Sequence, residues 1–282
     1  MDITENQTVL SFCTGYGGIE RGLQKAGVNC RTVVNVEIEA FAVANLVKEM
    51  EAGRMDSAPI FTDVKTFPSK QFRGRICGIV AGYPCQPFSV AGRGDGAADP
   101  RHLWPYIYKH IQTIKPIWLF LENVRGHVNN GLRDVLKDLE NGGYRTEWGI
   151  FSAAEVGAPH RRERIFILAY ASGVGCLHAT KKIRAGREGF INGCRYVSNA
   201  KRKRTQIQDK GNNPAIQMFE RDGKTGGVDT NENWWRVEPR LGRVVNGVAN
   251  RVDRLRLLGN GVVPQQAAKA FLLLNDKLNG GV

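Results

Sequence analysis

A short apolar run followed at once by closely spaced glycines is the feature that most restricts how this chain can fold. Residues 9–13 form the run, residues 15–18 contain three glycines, and residues 19–26 have helical spacing. A strand that turns tightly into a helix opens a β-α-β unit, and glycines in that turn let the backbone approach a ligand. The pattern therefore predicts an α/β fold with a site for a nucleotide-like ligand at the end of the first strand.

The same alternation of apolar runs and helical stretches continues along the chain. Further buried strands are predicted at residues 33–36, 76–81, 117–121 and 165–169, and helices at residues 39–51, 103–114, 131–141 and 265–278. Strands that alternate with helices indicate a doubly wound α/β sheet that is mainly parallel.

The regular pattern is interrupted in the last third of the chain. Residues 172–234 are rich in Gly, Asn, Lys and Arg and contain few apolar runs, which is typical of a separate small domain or of extended loops. We therefore predict a large α/β domain at residues 1–172, a small basic region at residues 173–257, and a C-terminal helix at residues 258–282 that returns to the large domain.

Positive charge is concentrated in that same region. Residues 161–256 contain 21 Lys and Arg against 9 Asp and Glu, a net charge of +12 out of +13 for the whole chain. A solvated basic face is the simple explanation for an ordinary charge run, but an excess this segregated favours a polyanion as partner.

Several protein classes are not favoured by the sequence. It has no apolar run of the ~18 residues that cross a bilayer, and its first residues lack the pattern of a signal peptide. Its six cysteines include no C-x-x-C pair, so neither a zinc site nor a disulfide framework is indicated. We expect a cytoplasmic protein that binds neither a membrane nor a metal.

A cysteine follows one predicted strand and a glutamate follows the next. Cys85 lies between Pro84 and Pro87, just beyond the strand at residues 76–81, and Glu122 lies just beyond the strand at residues 117–121. The carboxyl ends of strands are where open α/β sheets bind ligands. Cys85 is therefore a candidate nucleophile and Glu122 a candidate general acid, although an isolated cysteine is more often an inert thiol.

An acidic residue is also found where a nucleotide ribose would need one. Glu37 ends the second predicted strand, and its carboxylate can accept hydrogen bonds from ribose hydroxyls. The dinucleotide fingerprint G-x-G-x-x-G is not satisfied, since Glu20 occupies the position of the third glycine. An NAD-dependent oxidoreductase is accordingly disfavoured.

Five segments, taken together and in order, resemble the motifs of the DNA (cytosine-5)-methyltransferase family of bacterial or phage type. They are residues 12–27, Pro84-Cys85-Gln86, Glu122-Asn123-Val124, His160-Arg161-Arg162-Glu163-Arg164 and residues 259–264. The resemblance implies the Rossmann-like fold of S-adenosylmethionine-dependent methyltransferases, and it makes the basic region at residues 173–257 the part that recognises the target DNA sequence.

The resemblance also implies a mechanism and its catalytic residues. The target cytosine would be flipped out of double-stranded DNA, because its C5 and C6 atoms are unreachable while it is stacked. Cys85 would add to C6 while Glu122 protonates N3, and Arg164 and Arg162 would lie near the pyrimidine and the nucleophile.

The cofactor implied by the resemblance is S-adenosylmethionine, with no metal. Glu37 would bind the ribose, Ile38 would lie against the adenine, and Asp63 would accept from the adenine amine. The complete set of residues that the family pattern assigns to the cofactor is Gly15, Tyr16, Gly17, Gly18, Glu37, Ile38, Asp63, Pro84 and Asn260.

Three alternatives to a monomeric DNA methyltransferase remain at this point. An RNA cytosine-5 methyltransferase would share every catalytic motif. A catalytically decayed protein would bind DNA without turnover. An NAD-dependent oxidoreductase would bind its cofactor at the glycine turn and would need none of the other motifs.

Overall fold

Seven strands form one sheet in the part of the chain that the structure describes. The computed structural model describes residues 7–84, 103–173 and 257–280. The strands are β1 (Gln7–Phe12), β2 (Cys30–Val36), β3 (Ile60–Phe61), β4 (Gly78–Gly82), β5 (Trp118–Val124), β6 (Tyr144–Ser152) and β7 (Glu163–Ala171). Their order across the sheet is β3-β2-β1-β4-β5-β7-β6.

The sheet is mainly parallel, as the sequence predicts. Strands β1 to β5 pair in parallel with one another, whereas β7 is antiparallel to both β5 and β6. The α-helices that lie wholly within the described ranges are α1 (Gly18–Lys25), α2 (Ala40–Glu51), α3 (Trp104–Ile114), α4 (Leu132–Asn141) and α5 (Pro264–Leu278), and residues 257–260 are also helical. No helix in the described ranges is both long and apolar enough to span a membrane.

Helices cover both faces of the sheet because side chains on a strand alternate between the faces. In β5, Trp118 and Phe120 belong to one apolar core together with α1 and α5. Leu119 and Leu121 belong to a second core, which α3 and α4 cover on the opposite face. This arrangement confirms the doubly wound fold.

The C-terminal helix α5 lies on the large domain, against α1. A Cβ atom placed on Gly22 of α1 would be 2.6 Å from Cβ of Ala267 in α5, so the absence of a side chain there allows the two helices to approach closely. Phe271 of α5 is fully buried and contacts the ring of Phe120 edge to face, at 5.4 Å between centroids. The division of the chain into three domains stays a prediction, because residues 174–256 lie outside the described residues.

Among the strands of the described residues, β6 is the long one that the sequence analysis did not identify. It lies at the edge of the sheet, and it leaves Trp148 and Ile150 about two-fifths exposed. An edge strand of this kind lacks the continuous apolar run by which the buried strands were recognised.

Candidate active site

The carboxyl ends of β1, β2, β4 and β5 lie along one edge of the sheet. The chain runs outward from β1 to β2 and β3 in one direction, and from β4 to β5 in the other. Open α/β sheets bind their ligands at such a switch point, in the crevice beyond the strand ends. The described candidate residues that follow these strands therefore lie at this edge of the sheet.

The glycine turn after β1 is held in place by Glu37. The amide of Gly15 donates a hydrogen bond to Oε2 of Glu37 at 2.7 Å, and the amide of Glu39 donates to Oε1 at 2.9 Å. Gly15 and Gly17 have φ of 59° and 78°, the left-handed region that favours glycine. Two residues that the sequence assigns to one ligand are thus in direct contact.

The turn is closed on its other side by the segment before α5. The hydroxyl of Tyr16 donates to the carbonyl oxygen of Val262, and a side chain on Gly18 would overlap that same oxygen. A side chain on Gly261 would overlap the ring of Tyr16. Asn260 is exposed on this segment, next to Gly261. Two of the glycines in these motifs are therefore required by the close approach of two distant segments.

Ile38, Asp63 and Pro84 each lie two residues beyond the carboxyl end of a strand, namely β2, β3 and β4. Ile38 is 69% exposed, which leaves a large apolar surface uncovered beside Glu37. Asp63 follows β3, the strand that pairs with β2, and its Oδ1 accepts from the amide of Lys65 at 2.8 Å. Pro84 is exposed, two residues beyond the end of β4.

Glu122 is a buried carboxyl group at the end of β5. It is only 6% exposed, and its Oε1 lies 3.0 Å from Nε of Arg164 on the neighbouring strand β7. Burial raises the pKa of Glu122 from 4.5 to about 7, because the charges of Arg164 and Arg162 only partly offset the loss of hydration. A carboxyl group in this state can donate a proton near neutral pH.

The two candidate arginines have different surroundings. Arg164 contacts Glu122, whereas the guanidinium of Arg162 donates to the carbonyl oxygens of Gly259, at 2.7 Å, and of Gly261. Arg162 thus binds the segment before α5, and it acts on Glu122 through its charge.

Gln266 is a structural residue of this region that sequence reasoning missed. It is fully buried, and its side-chain amide donates to the carbonyl oxygens of Arg162, at 2.8 Å, and Phe151, at 2.7 Å. A glutamine among the mostly apolar buried positions of α5 was the available signal.

Asn123 connects β5 to the segment that leads to Cys85. Its Nδ2 donates to the carbonyl oxygen of Tyr83 at 3.2 Å, and its Oδ1 accepts from the amide of Val124 at 2.8 Å. Cys85 itself lies outside the described residues, one position after Pro84. Its role as nucleophile therefore stays a prediction. Within the described ranges, no group of three or more His, Cys, Asp or Glu side chains could hold a metal ion.

Comparison with known families explains why these motifs occur together. The family model described as C-5 cytosine-specific DNA methylase matches residues 7–240. The chain belongs to this family. Membership in the C-5 cytosine-specific DNA methylases confirms the resemblance predicted from the sequence and shows that the alternative of an NAD-dependent oxidoreductase is wrong.

Curated relatives of this chain include type II methyltransferases. M.NaeI of Lentzea aerocolonigenes is 32% identical over 165 residues, which cover 57% of this chain and 39% of that protein. M.NlaX of Neisseria lactamica is 33% identical over 171 residues, which cover 57% of this chain and 51% of that protein. The chain thus spans about half the length, or less, of the relatives it matches.

Two solved structures share the fold of this chain although their sequence identity to it is low. The S. pombe Dnmt2 methyltransferase superposes with a TM-score of 0.59 at 19% identity, covering 97% of this chain and 100% of that one. A methyltransferase from Entamoeba histolytica, EhMeth, gives a TM-score of 0.60 at 15% identity, covering 97% of this chain and 99% of that one. The likeness supports the methyltransferase fold.

Proposed function

We propose that this DNA methylase transfers a methyl group from S-adenosylmethionine to C5 of a cytosine flipped out of double-stranded DNA. The observation that carries the proposal is Glu122, a buried carboxyl with a pKa of about 7 at the end of β5. It pairs with Arg164, and its strand lies next to β4, the strand that leads to Cys85.

Three features in and beside the glycine turn support S-adenosylmethionine as cofactor. A carboxylate accepts about four hydrogen bonds, so Glu37 keeps acceptor capacity for ribose hydroxyls beyond the amides of Gly15 and Glu39. A Cβ on Gly15 would meet nothing within 4 Å, so the backbone is open on that side. The exposed side chain of Ile38 offers an apolar surface for the adenine. When bound, S-adenosylmethionine supplies an electrophilic methyl group on a sulfonium sulfur.

The chain's own residues would activate the cytosine in two linked steps. The thiolate of Cys85 forms a bond to C6 of the ring, and the carboxyl of Glu122 delivers its proton to N3. Negative charge therefore does not accumulate on the ring, and C5 becomes nucleophilic. After methylation, a base removes the C5 proton and the C6–S bond breaks, which regenerates Cys85. N3 returns its proton to Glu122, and 5-methylcytosine remains.

Arg164 orients the proton donor in this scheme. Its guanidinium fixes one oxygen of Glu122, and its charge lowers the pKa of Glu122 against the effect of burial. The balance keeps the proton available yet transferable near neutral pH. The basic region at residues 173–257 would select the DNA sequence, through phosphate contacts and a few side chains that reach base edges.

Methyl transfer from radiolabelled S-adenosylmethionine tests the proposal. We expect label in duplex DNA, and we expect Cys85→Ser to abolish it while DNA binding persists, because a hydroxyl is far less nucleophilic than a thiolate. Cys77→Ser is the matched control, since Cys77 immediately precedes the other end of β4. A duplex with 5-fluorocytosine at the target should trap a covalent adduct, because fluorine cannot leave as a proton does.

Each alternative gives a different result in the same assay. Label in structured RNA but not in duplex DNA would identify an RNA cytosine methyltransferase. DNA binding without label in either nucleic acid would identify a decayed DNA-binding protein.

A further inference from the structure

Tyr83 and His127 form a buried polar pair next to the candidate active site. The hydroxyl of Tyr83 lies 3.2 Å from Nε2 of His127, and each residue is 4% exposed. The two rings meet edge to face, with centroids 5.9 Å apart. Burying two polar groups is costly unless they are paired, so the hydrogen bond fixes their relative position.

The pair joins the two segments that carry the proposed catalytic groups. Tyr83 is the first residue after β4 and precedes Cys85 by two positions, whereas His127 belongs to a 3-10 turn, Arg125–Val128, that follows β5 and Glu122. The carbonyl oxygen of Tyr83 also accepts from Asn123 at 3.2 Å. Both the backbone and the side chain of Tyr83 are therefore attached to the segment of Glu122.

Tyr83 is held from a third direction by helix α3. Its ring packs on that of Trp104 at 5.6 Å between centroids, and Nε1 of Trp104 donates to Asp138 of α4 at 2.8 Å. A phenylalanine at position 83 would preserve this packing and lose only the hydroxyl. The contribution of the hydrogen bond can thus be separated from that of the core.

We infer that Tyr83 and His127 are positioning residues, which set the direction in which the chain leaves β4 relative to the carboxyl of Glu122. The inference rests on the proposed methyl transfer. Reaction rates fall steeply when reacting groups are misplaced by small distances. Most of the residues assigned to cofactor binding, by contrast, are held by β1, β2 and the segment before α5, and Pro84 is the one that follows β4. Loss of the pair should therefore lower kcat more than it raises KM for S-adenosylmethionine.

Single-turnover methylation of duplex DNA tests this assignment. Tyr83→Phe and His127→Leu should each lower the rate about three- to tenfold, the range expected for one hydrogen bond. The double variant should lose less than the product of the two single losses, because both variants remove the same hydrogen bond. His127→Gln should recover most of the rate, since its amide can still accept from the phenol.

Tyr144→Phe is the matched control. The hydroxyl of Tyr144 is also part of a buried hydrogen bond, to the carbonyl oxygen of Pro116 at 2.9 Å, but at the opposite edge of the sheet. It should keep the wild-type rate. A folded Tyr83→Phe variant at the wild-type rate, or an equal loss in Tyr144→Phe, would overturn the positioning role while the proposed function stands. A wild-type chain that methylates no cytosine would overturn the proposed function, and this assignment with it.

Discussion

Replacing Glu122 with glutamine should change how the stability of the protein depends on pH. Burial raises the pKa of Glu122 from 4.5 to about 7 in the folded chain, whereas the unfolded chain retains the ordinary value. Between these two pH values the folded state binds the proton more tightly than the unfolded state. The free energy of unfolding therefore falls as pH rises from 4.5 to 7, and the loss is complete above the folded pKa.

The size of the effect follows from the shift itself. Each pKa unit corresponds to ~1.4 kcal/mol, so ionising Glu122 in the folded state costs about 3 kcal/mol. Glutamine has the same shape as the protonated acid and does not ionise. Glu122→Gln should accordingly match the wild type near pH 4.5 and be more stable than it by about 3 kcal/mol above pH 7.

Urea unfolding at several pH values between 4.5 and 8 measures this difference. Glu140→Gln, which changes an exposed glutamate on α4, serves as the control for the substitution itself. The same ionisation predicts that methylation by the wild type declines as pH rises through about 7, because Glu122 then loses the proton that it donates. If the stability difference for Glu122→Gln did not vary with pH, the carboxyl would not titrate as a buried group, and the argument for a general acid would fail.

Three further substitutions test the fold and the DNA-binding surface. Gly22→Ala should lower the free energy of unfolding by ~1–3 kcal/mol, because the new methyl group overpacks against Ala267. This loss outweighs the gain of up to ~1 kcal/mol from the higher helix propensity of alanine. A stabilised variant would contradict the close packing of α1 on α5. Phe271→Ala should cost ~3–5 kcal/mol in urea unfolding, and a loss below ~1 kcal/mol would show that α5 does not pack on the sheet. Arg125 lies just beyond β5, and Arg125→Gln should reduce the slope of log K for DNA binding against log salt concentration by up to ~0.9. Arg54→Gln also removes an arginine that is paired with a glutamate, and it should leave this slope unchanged. Equal effects of the two substitutions would place the DNA elsewhere.

Local sequence patterns determined most of the elements that build the site. The apolar run of β1, the glycines of the turn and the helical spacing of α1 are consecutive in the chain, so the β-α unit can be recognised without knowing its neighbours. The buried strands β4 and β5 were found in the same way, and their ends carry Tyr83 and Glu122. Periodicity and glycine chemistry act over a few residues, which is why they can be read from the sequence.

The partners of the functional side chains were decided by the tertiary structure alone. Strand β7 lies antiparallel between β5 and the edge strand β6, and this order brings Arg164 to Glu122 and leaves Arg162 with Gly259 and Gly261. No local pattern distinguishes two arginines two residues apart. The raised pKa of Glu122 arises in the same way, because its burial is produced by packing among strands and helices that are distant in the chain.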